Sequence, residues 1–298
     1  MVKMKITVKD RNYFDFKEAL KTIDINNSGN IDIFIDGVVE GQNIIDKPNI
    51  TIHGGEFRNN FGAYEIMSDG KKRGTFNSYT LYVNANNVSF VGTKIINTAG
   101  ENNGQAIALM IDGDNTIVKD SFISSYHDTL FIGPLPEKEF EKDGFKGPMK
   151  DKERITKHVC LDNCLIVGSV DFIFGSGFAY LNKCKINSLA PGYVFAPSTK
   201  ENEKYGFVVM NCEFVSPLKE ECVYLARPWR NNAKLIITDS SIGKHIFKEG
   251  YTDWNKDMST VEFKEDGEIN QRKYAKKIND EDYKMIQEMD ERLRKLKI

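Results

Sequence analysis

No apolar run in this 298-residue chain approaches the roughly 20 residues that a membrane helix needs. No membrane partner is therefore expected. The opening Met1-Val-Lys-Met-Lys-Ile-Thr-Val-Lys-Asp10 lacks an apolar stretch and a small-residue cleavage site, so it does not read as a signal peptide. Read as full length, the protein is expected in the cytoplasm; it is expected to be secreted if a leader was removed. A basic excess is also missing. Lys and Arg number 41 against 43 Asp and Glu, a net charge of −2, which gives no support for nucleic-acid binding. The four His (53, 127, 158, 245) are scattered, and no Cys-x-x-Cys occurs among Cys160, Cys164, Cys184, Cys212 and Cys222. No metal site and no cofactor are expected, and the odd cysteine count argues against a disulfide framework.

What is present is a repeat. Phe90-Val-Gly-Thr-Lys-Ile95, Val118-Lys-Asp-Ser-Phe-Ile123, Leu161-Asp-Asn-Cys-Leu-Ile166, Leu181-Asn-Lys-Cys-Lys-Ile186, Val209-Met-Asn-Cys-Glu-Phe214 and Ile237-Thr-Asp-Ser-Ser-Ile242 share one pattern. Its small residue falls at Thr93, Ser121, Cys164, Cys184, Cys212 and Ser240, at spacings of 28, 43, 20, 28 and 28. Strand-rich periods of this length, with Asn and Gly at the corners, predict an all-β chain coiled as a parallel β-solenoid. Equivalent side chains on successive coils then stack in ladders. The small-residue column is read as one, fitted to a tight interior position.

Three stretches depart from the repeat. Lys5 to Asn27 reads as a strand followed by a short helix, with Phe14, Phe16, Ala19, Leu20 and Ile23 on its apolar face. Ile31 to Gly37 alternates as a short strand ending in a turn. The 43-residue gap holds a Pro-, Gly- and charge-rich excursion over residues 133–156, and loops of that length tend to be functional. At the tail, 280–298, Tyr283, Ile286, Met289, Leu293 and Leu296 recur at three- and four-residue steps. That spacing predicts an amphipathic helix with Asp280 as its N-cap, packed on the solenoid or covering an end, with a partner-binding helix as the alternative. The whole chain, 1–298, is read as one domain and a monomer.

One stretch places a carboxylate among apolar β-formers: Val167-Gly-Ser-Val-Asp171-Phe-Ile-Phe-Gly175. A buried Asp loses hydration and needs a partner. A structural Asp bonded to a nearby turn would also satisfy that need. Asp171, however, lies seven residues after Cys164, and Asp128 lies seven after Ser121. Equal offsets on adjacent coils, about 4.8 Å apart, put the two carboxylates side by side. Like charges that close raise one pKa, giving one protonated and one ionised group. Gln105, 16 residues before Ser121, could present an amide to the same face, and Arg227, 15 after Cys212, could pair with one carboxylate.

At these residues the sequence resembles the pectin methylesterases. Gln105-Ala-Ile-Ala-Leu109, His127-Asp-Thr-Leu-Phe131, Asp171-Phe-Ile-Phe-Gly175 and Leu225-Ala-Arg-Pro-Trp229 stand in the family's order. Asp36-Gly-Val-Val-Glu40, Thr75-Phe-Asn-Ser78, Gly192-Tyr-Val-Phe-Ala-Pro-Ser-Thr199 and Tyr205-Gly-Phe207 fit bacterial members. The resemblance runs from about Lys5 to Asp266 and implies a right-handed parallel β-helix. It implies Asp171 as nucleophile on the C6 methyl ester of a galacturonate unit and Asp128 as acid and then base. Gln105 would bond the oxyanion, and Arg227 would hold Asp171 ionised. Thr75, His127, Val170, Phe174 and Trp229 would meet the substrate, methylesterified pectin or oligogalacturonate. Cys164 and Cys184 match a pair bridged in some secreted members.

The chain departs from the family at His127, where Gln is usual, directly before Asp128. An imidazole can donate a hydrogen bond but titrates near pH 6.5, so altered rate or pH dependence is expected. The gap between the two Asp is longer than usual by about one coil, and the excursion is expected to rise beside the groove and limit which chains enter. Tyr251 stands near a usual Trp. Two other readings remain: glycoside hydrolysis or lysis on the same scaffold, and a sugar-binding solenoid without turnover. No acidic cluster of the kind a lyase's Ca²⁺ site needs stands near Asp128 and Asp171.

Overall fold

A computed structural model describes residues 4–295. The chain winds as a right-handed parallel β-helix whose coils carry short strands on three faces. One face is a seven-stranded parallel sheet. Its order runs Asn43–Ile45, Leu81–Val83, Leu109–Ile111, Leu130–Ile132, Ile173–Gly175, Gly192–Pro197 and Val223–Ala226. A second face stacks Val88–Val91, Thr116–Lys119, His158–Asp162, Phe178–Asn182, Phe207–Met210 and Lys234–Thr238. The third carries Lys94–Asn97, Phe122–Ser124, Leu165–Gly168, Lys185–Ser188, Glu213–Val215 and Ser241–Ile242. Inward side chains such as Leu109, Leu130, Ile173 and Phe195 are fully buried and belong to one continuous core.

The small-residue column sits at the corner between the second and third faces. The residue before each member, Gly92, Asp120, Asn163, Lys183, Asn211 and Asp239, has φ between 48° and 66°. That left-handed turn favours Gly, Asn and Asp, which accounts for five of the six. The column does more than fill a tight position. Ser121 Oγ, Cys212 Sγ and Ser240 Oγ accept from the backbone N–H of Thr93, Cys184 and Cys212 on the preceding coil, at 3.1, 3.3 and 3.0 Å. Ser121 Oγ and Ser240 Oγ also donate to the carbonyls two residues earlier, Lys119 and Thr238. The ladder thus satisfies backbone groups that the turn takes out of the sheets. All five cysteines are free thiols, Cys164 and Cys184 included.

The N-terminal segment differs from expectation in detail. Lys5–Val8 pairs antiparallel with both Arg11–Tyr13 and Ile31–Glu40, so a hairpin precedes the helix. The helix spans Phe16–Lys21, capped by Asp15, which accepts from Glu18 N–H at 2.9 Å. Phe14 falls outside it and is 60% exposed. The strand from Ile31 does not stop at Gly37. It continues to Glu40 through an irregularity between Ile35 and Val38, where Gly37 takes φ 116°.

At the other end a helix spans Asp280–Lys295. Its cap is Asn279, not Asp280: Asn279 Oδ1 accepts from Asp282 N–H while Asp282 Oδ2 accepts from Asn279 N–H, both at 3.0 Å. This reciprocal pair is a capping box with Asp at the third position. Met285 and Ile286 bury against Tyr180, Val208 and Ile236 on the second face, with Met289 at the edge. Tyr283 stays 41% exposed. The side chain of Leu293, and Leu296 altogether, lie outside the described residues. Among the described residues no helix is long and apolar enough to cross a membrane.

Residues 133–156 carry no strand or helix, yet they are not loose. Leu135, Phe145 and Met149 are buried on the outer face of the seven-stranded sheet, against Tyr82, Met110, Phe131 and Phe174.

Candidate active site

The coil register decides where the carboxylates stand. Leu130 pairs with Ile173 and Phe131 with Phe174, so Asp128 and Asp171, each two residues before its strand, lie side by side. Asp128 N–H donates to Val170 O at 3.2 Å, and Asp171 N–H donates to Tyr193 O at 2.8 Å on the next coil. Both aspartates have left-handed backbone, φ 56° and 49°, a conformation Asp tolerates better than most residues. Buried hydroxyls brace these turns. Thr129 Oγ1 donates to Val167 O at 2.9 Å, Ser169 Oγ to Tyr126 O at 2.5 Å, and Ser125 Oγ to Ala106 O and His127 O. Gly168 has no room for more: a Cβ there would come within 2.3 Å of Phe172 Cβ and 2.5 Å of Thr129 Oγ1.

Arg227 reaches Asp171 from two coils away. Its Nε donates to Asp171 Oδ1 at 2.9 Å and its second guanidinium nitrogen to Oδ2 at 2.5 Å, a bidentate pair with fixed geometry. The side chains are only 16% and 13% exposed. The guanidinium carbon lies 4.2 Å from the Tyr193 ring centre and 3.8 Å from that of Trp254. The cation is thus held between two aromatic rings while it binds the carboxylate.

These surroundings separate the two acids. Burial pushes the Asp128 carboxyl well above the ordinary range, the charge on Asp171 pushes it further, and Arg227 only partly opposes them. Burial also raises Asp171, but there the hydrogen bonds and charge of Arg227 act directly against it. Of the two, Asp128 therefore holds a proton the more firmly and Asp171 is the readier anion.

The other residues singled out from sequence gather around this pair to differing degrees. Gln105 is one coil away: Ala106 N–H donates to His127 O at 3.2 Å, and Gln105 O accepts from Ala63 N–H at 2.8 Å. The His127 ring lies 4.9 Å from that of Tyr126. Burial lowers its pKa with Glu101 opposing, so it is neutral at pH 7. Val170, partly exposed, lends its carbonyl to Asp128. Phe174 is 3% exposed and packs edge-on against Trp229, 5.7 Å between ring centres. Thr75 opens a short 3₁₀ turn whose Phe76 lies on Phe131 and Phe174.

Several site residues were missed. Trp254, with its backbone at φ 42°, occupies the place over Arg227. Tyr251, the residue noted in its stead, is buried in the core and donates to Glu265 Oε1 at 2.9 Å. Tyr193 lies in the family-like stretch Gly192 to Thr199, which gave no sign of its place beside Arg227. Phe145 of the excursion lies 6.4 Å from Trp229 between ring centres. Among the described residues no group of three or more His, Cys, Asp or Glu is placed to hold a metal ion.

A family model described as Pectinesterase matches residues 7–140 and 156–293, leaving out only the middle of the excursion between them. A pectinesterase of Petunia integrifolia is 31% identical over 260 residues, 82% of this chain and 63% of that one. One of Ralstonia solanacearum is 29% identical over 186 residues, 55% and 43% of the two chains. The chain thus spans less than two thirds of the length of these curated relatives. Among solved structures, the pectin methylesterase of Aspergillus niger superposes with a TM-score of 0.74 at 22% identity, covering 91% of this chain and 88% of that one. The enzyme of Yersinia enterocolitica gives 0.73 at 21% identity, covering 91% and 96%. A pectin methylesterase in complex with a hexasaccharide gives 0.71 at 22%, covering 91% and 90%. At such identities the likeness establishes the fold.

Proposed function

Because the chain belongs to the pectinesterase family, we propose that it hydrolyses C6 methyl esters of homogalacturonan or its oligomers, releasing methanol. The observation that carries this reading is the pair of buried aspartates on adjacent coils, with Asp171 bound by two nitrogens of Arg227. Asp171 attacks the ester carbonyl carbon, and the developing oxyanion takes a hydrogen bond from the Gln105 amide. The bond from that carbon to the methoxy oxygen breaks as Asp128 gives its proton to the leaving group, which departs as methanol. The enzyme then carries an anhydride between Asp171 and the uronate. Asp128, now a carboxylate, takes a proton from water. The resulting hydroxide equivalent attacks the anhydride, freeing the uronic acid and restoring Asp171. Trp229 offers apolar surface beside the reacting unit, with the buried Phe174 packed behind it, and Thr75, His127 and Val170 border it. That a protein of this fold binds a hexasaccharide agrees with a groove for a sugar chain.

The test is methanol release from methylated oligogalacturonates. Wild type should release it, and Asp171→Ala should lose at least about a thousandfold in kcat, as removal of a nucleophile does. Equal, negligible release from both would overturn the reading, and chain shortening or an unsaturated product would point to another reaction on this scaffold.

A further inference from the structure

Beyond Trp229 the apolar floor continues into a feature that the reaction does not use. The Arg230 guanidinium carbon lies 4.7 Å from the Trp229 ring centre and 3.4 Å from that of Phe140, at the tip of the excursion. Its nitrogens donate to Trp229 O at 2.9 Å and Lys138 O at 3.0 Å. Lys256 Nζ lies 5.2 Å from the ring centres of both Phe140 and Trp254. Lys138, Phe140, Arg230 and Lys256 border an open pocket of about 590 Å³ between the excursion and the chain at residues 198–202 and 230–232. That size suits one or two sugar units.

The charge in this pocket is unbalanced. Lys138, Lys200, Arg230 and Lys256 line it against Glu137 and Glu201. Lys200 is paired with Glu137 at 3.7 Å, and Glu201 is exposed. Among the described residues no ion pair within 4 Å joins Arg230 or Lys256 to a carboxylate. Both cations are partly buried, and Arg230 and Arg227 repel Lys256. Partly desolvated like charges without a counter-ion are unfavourable in the empty protein. An anion placed between them removes that penalty and accepts charge-assisted hydrogen bonds. Phe140 supplies a flat apolar face and Asn231 and Asn232 supply amides, the other two chemistries by which a sugar ring is held.

We infer that this pocket is a second subsite, built by the excursion, which takes a galacturonate unit with a free carboxylate on the same chain as the ester being cleaved. The inference rests on the esterase reading for its substrate class. It makes the preferred substrate a partly de-esterified oligomer, with one unit anchored by its carboxylate and a methylated unit at Asp171.

Direct binding tests it without turnover. Tetragalacturonate, which has no ester, should bind wild type, and the affinity should fall with added salt. Lys256→Gln should weaken it about tenfold, the loss of one charge-assisted hydrogen bond. Lys138→Glu, at an exposed position where folding is not at stake, should weaken it severalfold. The fully methylated tetramer, measured on Asp171→Asn backgrounds, should change by less than about twofold with either substitution. Equal effects on both ligands, or no effect on the acid, would overturn the subsite. Methanol release by the wild-type protein, with Asp171 intact, separates the two readings. Release without carboxylate discrimination sinks the subsite alone, and discrimination without release sinks the esterase and leaves the pocket standing.

Discussion

At the scale of single residues the site is a compromise between stability and chemistry. Asp128 is kept protonated by burial and by Asp171. A carboxyl whose folded pKa lies above its unfolded one binds more protons folded than unfolded, so it makes stability fall as pH rises through that interval. Asp128→Asn removes this penalty, and Asn tolerates the φ of 56° as well as Asp does. The variant should lose activity yet melt about 2 °C or more above wild type near pH 7. The gain should vanish below about pH 4, where the unfolded carboxyl is protonated too. Melting curves at both pH values check it, and a variant less stable than wild type at pH 7 would refute it. Trp254 acts through Arg227. Trp254→Ala frees one face of the guanidinium, so Asp171 loses part of its cation and its pKa rises. The acid limb of the kcat/KM profile should then move to higher pH, and Trp254→Phe should restore it. A uniform loss at every pH would mean that Trp254 only packs.

At the scale of elements the coils were legible and the excursion was not. The small-residue ladder marks a fixed point on every coil, so counting seven residues from Ser121 and from Cys164 reached Asp128 and Asp171, which the strand register brings side by side. Counting succeeds because parallel stacking makes sequence offset and spatial position equivalent. It fails wherever the chain leaves the coil. Nothing in the spacing distinguished Trp254 over the site from Tyr251 in the core, three residues away, because no member of the small-residue ladder falls in that segment, although Tyr251 bridges Ala226 on the preceding coil. The tip of the excursion is illegible for the same reason: Phe140 meets Arg230 and Trp254 across 90 and 114 residues of sequence. The excursion is an anchored wall, with Phe145 only 4% exposed and edge-on to both Phe76 and Trp229. Phe145→Ala should cost about 3 kcal/mol by denaturant titration, a typical value for a buried Phe. It should also raise KM more than it lowers kcat, since Asp128 and Asp171 sit on other turns. An unchanged denaturation midpoint would mean the wall is not packed as described.

For the molecule as a whole, a solenoid faces a difficulty that a closed barrel avoids, because some outer faces stay apolar. Tyr180, Val208 and Ile236 stand in register on three successive coils with their side chains outward. The C-terminal helix covers that stripe with Met285 and Ile286 and is fastened by Lys264, whose Nζ bonds both oxygens of the buried Asp282 at 3.0 Å. Asp282 also belongs to the capping box, so one carboxylate both starts the helix and ties it to the last coils. In a stacked array each coil leans mainly on its neighbours, so uncovering three at once should weaken that end as a unit. Ile286→Ala should lower stability by about 2–4 kcal/mol. Ending the chain after Asn279 should go further, exposing the stripe and producing dye binding and concentration-dependent aggregation at temperatures where the intact protein is monodisperse. The aspartates lie on the seven-stranded face, away from this stripe, so the Ile286→Ala protein that remains folded should keep its kcat. A shortened chain with the same melting temperature and no dye binding would show that the helix lies on the solenoid without holding it together.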